Sequence, residues 1–264
     1  MRTNEDIKKD ITDKIKKIPK IDERKNSGAI VIKGDLILEK DMVVDGDLIV
    51  KGEIRGKERF NLTVKGNLTL EGYAVMGDLN VGGNMHAGDV VNANHIIVGG
   101  NITSMSSVMA VYGLSVGGDV TAYFDVMGGK TNIRGNVTAG GNMDGEDVQV
   151  DGDVTVGDII YRHMNVGGNI RGRNIYAHSD SWLNVDSDDR SISAGGDITM
   201  ERILTDGDVH AGRDVIVSGA LRARDVRAER NINAKLLDVR HATAGGVITY
   251  EKWIKRQDEV ADEG

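Results

Sequence analysis

Residues 173 to 197, RNIYAHSDSWLNVDSDDRSISAGGD, gather side chains of the types that bind cations and sugars. Clustered carboxylates suit hard divalent cations, and a loop on a rigid scaffold often carries function. An outward bulge with solvated acids would explain the same residues without any ligand, so both interpretations stay open. The candidates for a ligand or cation site are Tyr176, His178, Asp180, Trp182, Asp186, Asp188, Asp189 and Arg190.

Histidine is the other candidate for chemistry, because a positioned imidazole can act as a general base. No histidine stands beside a Ser or Cys in a recognisable nucleophile arrangement, and each is expected on the surface of a repeat. The six histidines are His86, His95, His163, His178, His210 and His241. Phosphate-binding and dinucleotide motifs are also missing from the sequence, because the glycine pairs precede predicted strands rather than helices. We therefore predict no catalytic residue, no metal ligand, no cofactor and no enzymatic activity.

Composition limits the class of protein. The 264 residues include 35 Gly but one Pro, no Cys, and only two Phe and two Trp. A chain without Cys has neither disulfides nor thiolate metal sites, which agrees with a reducing compartment. The net charge of −8 argues against general affinity for nucleic acid. No apolar run is long enough for a membrane span, and the first residues are charged rather than signal-like.

The chain repeats a short phrase at a nearly constant interval. With the second glycine of each phrase as marker, successive markers stand about 17 residues apart, a fixed period of the kind that repeat architectures show. These markers are Gly66, Gly83, Gly100, Gly118, Gly135, Gly152 and Gly168. We place further markers before and after this run, with a shorter gap just before Gly66 and a much longer one just after Gly168. The further markers are Gly34, Gly52, Gly196, Gly212, Glu229 and Gly246.

The residues around each marker fit a coiled parallel sheet. An apolar residue recurs two positions after the marker, as at Leu68, Met85 and Ile102, and would form a continuous internal row. Between markers the residues alternate, as in residues 148–150, with the middle one facing outward. Glycine at the corners is expected because of backbone dihedral angles that other residues adopt at a cost. Residues 28–250 would supply about 13 turns, or a rod of roughly 60 Å at about 4.8 Å per turn.

An Asn or Asp follows each marker from Gly66 to Gly196, and no two successive markers from Gly66 to Gly168 are both followed by Asp. Stacked carboxylates would repel each other, whereas Asn side chains can form a hydrogen-bonded ladder. Asn and Asp also suit tight turns on their own account. The row is therefore either a set of turn residues or a ladder that fixes the register. It consists of Asn67, Asn84, Asn101, Asp119, Asn136, Asp153, Asn169 and Asp197.

Residues 3–18, TNEDIKKDITDKIKKI, predict an amphipathic helix ended by Pro19. Its apolar stripe, formed by Ile7, Ile11, Ile15 and Ile18, is expected either to cap the first turn or to contact another subunit. Peripheral membrane contact is a third alternative, although no Trp or Phe would anchor the face. The predicted domains are residues 1–27 as helix and linker, 28–250 as solenoid, and 251–264 as C-terminal cap and acidic tail.

Two C-terminal features complete the pattern. Trp253 and Ile254 are expected to cover the last turn. The run of residues 213–231 is rich in arginine but interleaves Asp and Glu, which favours ion pairing between turns over nucleic-acid binding.

The phrases IKGDL (residues 32–36), VDGDL (44–48) and VKGEI (50–54), with similar phrases over most of the chain, resemble the bactofilins. These are polymer-forming bacterial cytoskeletal proteins, and the present repeat region is longer than their usual core. The resemblance implies a right-handed triangular β-helix and end-to-end polymerisation without nucleotide.

The sequence thus predicts an all-β protein made of one right-handed triangular parallel β-helix with a short N-terminal helix. The expected function is that of a cytoplasmic, non-enzymatic, self-associating filament subunit whose partner is a second copy of the chain. A glycan-binding or carbohydrate-active β-helix that uses residues 173–197 is the alternative. The scarcity of aromatic residues for a sugar groove favours the filament.

Overall fold

A computed structural model describes residues 5, 6, 8, 9, 11 and 12 and the ranges 28–56, 60–177 and 190–255. Within this part of the chain the protein is a parallel β-solenoid of thirty strands. No helix with defined bounds belongs to it, so the N-terminal helix over residues 3–18 stays a prediction.

The strands follow one another in chain order. The first ten are β1 (Ile30–Ile32), β2 (Leu36–Ile37), β3 (Met42–Val44), β4 (Leu48–Val50), β5 (Ile54–Arg55), β6 (Leu62–Val64), β7 (Leu68–Leu70), β8 (Ala74–Val75), β9 (Leu79–Val81) and β10 (Met85–Ala87). The next ten are β11 (Val91–Val98), β12 (Ile102–Ser104), β13 (Val108–Val116), β14 (Val120–Ala122), β15 (Val126–Ile133), β16 (Val137–Ala139), β17 (Met143–Val150), β18 (Val154–Thr155), β19 (Asp158–Val166) and β20 (Ile170–Arg171). The last ten are β21 (Asn174–Ala177), β22 (Ile192–Ala194), β23 (Ile198–Met200), β24 (Arg202–Leu204), β25 (Val209–Ala211), β26 (Val215–Arg222), β27 (Asp225–Ala228), β28 (Ile232–Val239), β29 (His241–Ala244) and β30 (Ile248–Lys255).

Each turn of the solenoid contributes a segment to three stacks of strands. The first stack begins with β1 on β4 and ends with β28 on β30, and twelve successive pairings join its thirteen segments. The second stack begins at β2 and the third at β3. The solenoid therefore has about twelve turns, slightly fewer than the thirteen predicted, and a typical turn has about 17 residues.

The register corrects two stretches of the predicted marker series. The amide of Gly66 bonds to the carbonyl of Gly46 and not to that of Gly52, which pairs with Gly34 in another corner. The short gap before Gly66 therefore does not exist, and this turn is in fact longer than its neighbours, since Leu48 pairs with Leu68. After Gly196 the equivalent positions are residues 213, 230 and 246, so the predicted markers Gly212 and Glu229 were each one residue early.

The long gap after Gly168 is a single turn. Ile170 pairs directly with Ile198, and β21 and β22 on either side of the extra residues keep their places in the stacks. The added length thus lies between Ala177 and Arg190, at residues 178–189, outside the described part of the chain.

Alternation along the short strands builds the core, as predicted. Val148 and Val150 are buried while Gln149 between them is exposed, and the same pattern recurs on most turns. The inward residues form one continuous apolar cluster that reaches from Leu38 in the first turn to Val239 near the last. Burial of each Val, Leu, Ile or Met side chain in this cluster contributes about 1.5–3 kcal/mol, so the core is the main source of stability.

The row of Asn and Asp residues is a hydrogen-bonded ladder. Its donor at every step is a backbone amide, whereas the sequence suggested bonds between Asn side chains. The side-chain Oδ1 of each member accepts a hydrogen bond from the backbone N–H of the member one turn later. The bond from Asn84 N to Asn67 Oδ1 is 2.8 Å and that from Asp119 N to Asn101 Oδ1 is 2.7 Å. Because the donor is a backbone amide, Asp serves as well as Asn. The ladder runs without interruption from Asp47 to Val247.

Close approach, and not backbone conformation, explains the glycine that precedes the ladder residues from Asp47 to Asp197. None of the glycines that precede ladder residues has a φ in the left-handed region, so the predicted dihedral reason was wrong for this corner. A Cβ on Gly118 would overlap the Oδ1 of Asn101 and come within 3.1 Å of the Gly100 carbonyl oxygen. The glycine thus leaves room for the ladder oxygen of the previous turn.

Asp197 and Asp214 are successive acids in the ladder. In this part of the chain Arg213 and Arg230 stand where earlier turns have the corner glycine. The Arg213 guanidinium lies 2.7 Å from both Asp197 Oδ2 and Asn169 Oδ1. Arg230 reaches Asp214 Oδ2 at 3.6 Å. These contacts confirm the ion pairing between turns predicted for residues 213–231, and they offset the repulsion between stacked carboxylates.

A double-mutant cycle tests the role of the corner glycine. We expect Gly118→Ala to lower the stability by about 1–3 kcal/mol, because the new methyl group displaces Asn101 Oδ1 from its amide. In an Asn101→Ala background the same change should cost less, since the overlapping oxygen is gone. Thermal unfolding followed by circular dichroism measures both effects. Gly34→Ala is the matched control, with no atom within 4 Å of the added Cβ. Equal costs in the two backgrounds would contradict this explanation.

Candidate functional site: the two ends of the solenoid

The first turn presents apolar side chains at the N-terminal end of the described solenoid. Ile30 points inward like its partner Leu48 on the following turn, yet Ile30 is 47% exposed while Leu48 is 0% exposed. Three further inward residues of this turn, Ile32, Leu36 and Met42, are also only partly buried, whereas Leu38 and Val44 are buried. The N-terminal end of the core is thus an apolar surface bounded by three strands.

The last turn presents a second apolar surface, with aromatic residues. The inward residues of the last turn include Ile248, Tyr250 and Trp253, which pair with buried inward residues of β28. Tyr250 is exposed, and its ring meets that of Trp253 edge to face with 5.4 Å between the ring centres. Trp253 Nε1 is buried and has no hydrogen-bond acceptor among the described residues. Trp253 is itself part of the last turn, because β30 continues to Lys255 past the predicted boundary at residue 250. Ile254 points outward and is 41% exposed.

The terminal strands of the described solenoid are paired on one side only. Among the described strands, β1, β2 and β3 have partners only on the following turn, and β29 and β30 only on the preceding turn. Each end is therefore a sheet edge, and such edges favour pairing with another chain.

The predicted assembly residues at the N-terminus are only partly described. Ile11 is fully buried, whereas Ile7, Ile15 and Ile18 lie outside the described residues. Lys8 Nζ lies 5.5 Å from the centre of the Phe124 ring and 5.8 Å from that of Tyr123. Lys8 thus contacts the side of a middle turn. Its Cγ also lies where a Cβ on Gly140 would stand.

The predicted ligand site in residues 173–197 is described only at its two margins. Tyr176 lies in β21, and Arg190 pairs with Asp206 at 3.7 Å. The other six candidates, His178, Asp180, Trp182, Asp186, Asp188 and Asp189, lie outside the described residues, so the site stays a prediction.

A buried tyrosine fixes the point where this insertion rejoins the solenoid. The Tyr161 hydroxyl donates to the Arg190 carbonyl at 3.0 Å and contacts Thr205 Oγ1 at 3.1 Å. Burial raises the pKa of the Tyr161 phenol above its ordinary value of 10.0, so the group stays protonated and keeps its donor.

Three of the histidines form a pattern that sequence reasoning missed. His95, His163 and His241 stand in the same outward row of the third stack, and each Nδ1 bonds to an Asp one turn earlier. The distances are 2.9 Å to Asp78, 2.8 Å to Asp147 and 3.0 Å to Asp225. The spacing of one turn from Asp to His is the signal that could have revealed the pairs.

His86 and His210 stand elsewhere. Burial lowers the pKa of His86, and His210 Nε2 lies 3.5 Å from Glu229. Within the described residues, no group of three or more His, Asp or Glu side chains is arranged to hold a metal ion.

Comparison with protein-family models, with curated proteins and with solved structures gave no match. In the part of the chain that the structure describes, no helix is long and apolar enough to cross a membrane.

The N-terminal segment can be tested separately from the solenoid. We expect Ile11→Asp with Ile15→Asp to detach this segment, because a buried Ile11 would become a charged group. Limited proteolysis should then cut within residues 1–27 at least about tenfold faster, while the β-sheet circular dichroism signal is retained. Lys9→Asp, a charge change at an exposed position, is the control. Loss of the β-sheet signal in the double variant would contradict separate roles for segment and solenoid.

Proposed function

We propose that this protein is a structural, non-enzymatic subunit that associates head to tail through the two ends of its solenoid. The fold that we propose is the right-handed triangular β-helix implied by the resemblance to bactofilins. The proposed setting is a cytoplasmic filament made of copies of this chain, without nucleic acid or cofactor.

One observation carries the proposal. Most inward side chains of the terminal turns are exposed or half-exposed, with Leu38 and Val44 of the first turn as buried exceptions, while the described inward positions between these turns are buried. Stacking of one subunit on the next would bury Ile30 and Tyr250 and would pair the open edges of β1 and β30. The same two forces, apolar burial and backbone pairing, already join every internal turn.

The two ends differ in chemistry, which supports a head-to-tail junction. The N-terminal end is aliphatic, with Ile30, Leu36 and Met42, whereas the C-terminal end carries Tyr250 and Trp253. In a parallel stack the edge of β30 continues the first stack onto β1. A heterologous contact of this kind does not close on itself and so generates a filament.

The junction would lack one feature of the internal turns. The position equivalent to a ladder residue is Ala29 in the first turn and Val247 in the last turn. Neither side chain has an oxygen that could accept a ladder bond. Junctions are therefore held without ladder bonds, and we infer that filaments dissociate before subunits unfold.

Blocking each end in turn tests the proposal. We expect Ile30→Asp and Tyr250→Asp each to abolish filaments in negative-stain electron microscopy, because either carboxylate would be buried at the junction. A mixture of the two variants should give discrete dimers by light scattering, since one intact end of each kind remains. Val43→Asp is the matched control, an outward apolar residue of the first turn that is 64% exposed.

Other results would overturn the proposal. Filaments that persist in both end variants would exclude these surfaces, and dimers formed by a single variant alone would indicate symmetric end contacts. Unmodified protein that stays monomeric at every concentration and salt condition would reject self-association.

A further inference from the structure

A groove of about 700 Å³ runs along the side of the solenoid, far from the two ends. It follows the third stack across β11, β13, β15, β17, β19 and β22. The outward side chains of its floor are the exposed Ile97 and, on the next five turns, five polar residues that are here called the polar row. The polar row consists of Ser115, Asn132, Gln149, Asn165 and Ser193.

The polar row has unused hydrogen-bonding capacity. None of its five side chains has a hydrogen bond to another described residue, in contrast to the Asn and Asp residues of the ladder. Three of them are amides, and each amide offers both a donor and an acceptor. Because neighbouring turns are about 4.8 Å apart, the row repeats the same chemistry at a fixed distance along the solenoid axis.

An aromatic platform stands at one end of the groove. Tyr112 is 62% exposed, and its ring centre lies 5.6 Å from that of His95 at an interplanar angle of 41°. His95 is in turn held by Asp78 through the 2.9 Å Nδ1 contact. An exposed ring that rests on a fixed neighbour can receive the apolar face of a ligand.

The charges along the groove wall compensate one another. Lys130, Asp147 and His163 stand on three successive turns of one row, and Asp147 accepts the 2.8 Å contact from His163. With a cation, an anion and an imidazole side by side, the groove offers no excess charge to an ionic ligand. Its chemistry favours an uncharged partner with many hydroxyl or amide groups.

We propose that this groove binds a linear, uncharged polysaccharide along the solenoid axis. The polar row supplies repeated donors and acceptors for sugar hydroxyls, and Tyr112 stacks on the C–H face of one sugar ring. The groove includes Ser193 from residues 173–197, but neither Tyr176 nor Arg190, the two described candidates of that segment, lines it. It goes beyond the proposed assembly function and does not depend on it, because the ends take no part in the groove.

Isothermal titration calorimetry of the full-length chain with cellohexaose and chitohexaose tests the proposal. We expect saturable binding of at least one of them. Tyr112→Ala should weaken this binding by about tenfold, and Tyr112→Phe by less than about twofold because the ring is retained. Asn132→Ala with Gln149→Ala should weaken it several-fold. Asn233→Ala is the matched control, an exposed amide on the first stack.

The opposite outcomes are equally clear. Absence of saturable binding to both oligosaccharides would reject the site, as would tighter binding of polygalacturonate, an acidic glycan. Binding that is unchanged in Tyr112→Ala would place the sugar elsewhere. Repeating the titration with Ile30→Asp, which blocks one end, separates this proposal from the filament proposal.

Discussion

Each turn of this protein must approach the next closely enough for backbone pairing, and the rest of the structure follows from that constraint. At the corner where the first stack begins, the ladder oxygen of one turn lies where the next turn would carry a Cβ. The glycine makes room for the oxygen of the Asn or Asp one turn earlier, so the two residue types are required together. This requirement explains the recurring Gly-Asn and Gly-Asp phrases of the sequence.

Electrostatics modifies this arrangement without breaking it. Where the ladder alternates Asp with Asn, amide groups separate the carboxylates. Where Asp197 is followed by Asp214, the glycine is exchanged for arginine, and the Asp214 amide still bonds to Asp197 Oδ1, at 3.1 Å. The C-terminal turns are thus held partly by ion pairs between Arg and Asp at the surface, whereas the ladder of the middle turns uses hydrogen bonds from backbone amides. Salt screens the former more than the latter.

Much of the fold could be predicted, because the repeat interval and the alternation of apolar residues have a direct physical cause. The exact register could not, since Gly34, Gly46 and Gly52 are each followed by an acid and an apolar residue, and two corners of one turn look alike. The groove was not predicted because residues that are distant in the sequence, such as Tyr112 and Asn132, come to the same surface only through the register of the strands. An apolar stripe on the N-terminal segment predicted burial of Ile11 but not that Lys8 would contact Phe124.

The ladder has a direction. Every side-chain oxygen accepts from an amide that comes later in the chain, as Asn67 does from Asn84 and Asn84 from Asn101. A turn that has formed therefore already displays the ladder acceptors that the next turn needs. The solenoid can be built in the order in which the ribosome releases it, each finished turn acting as a template for the one being synthesised.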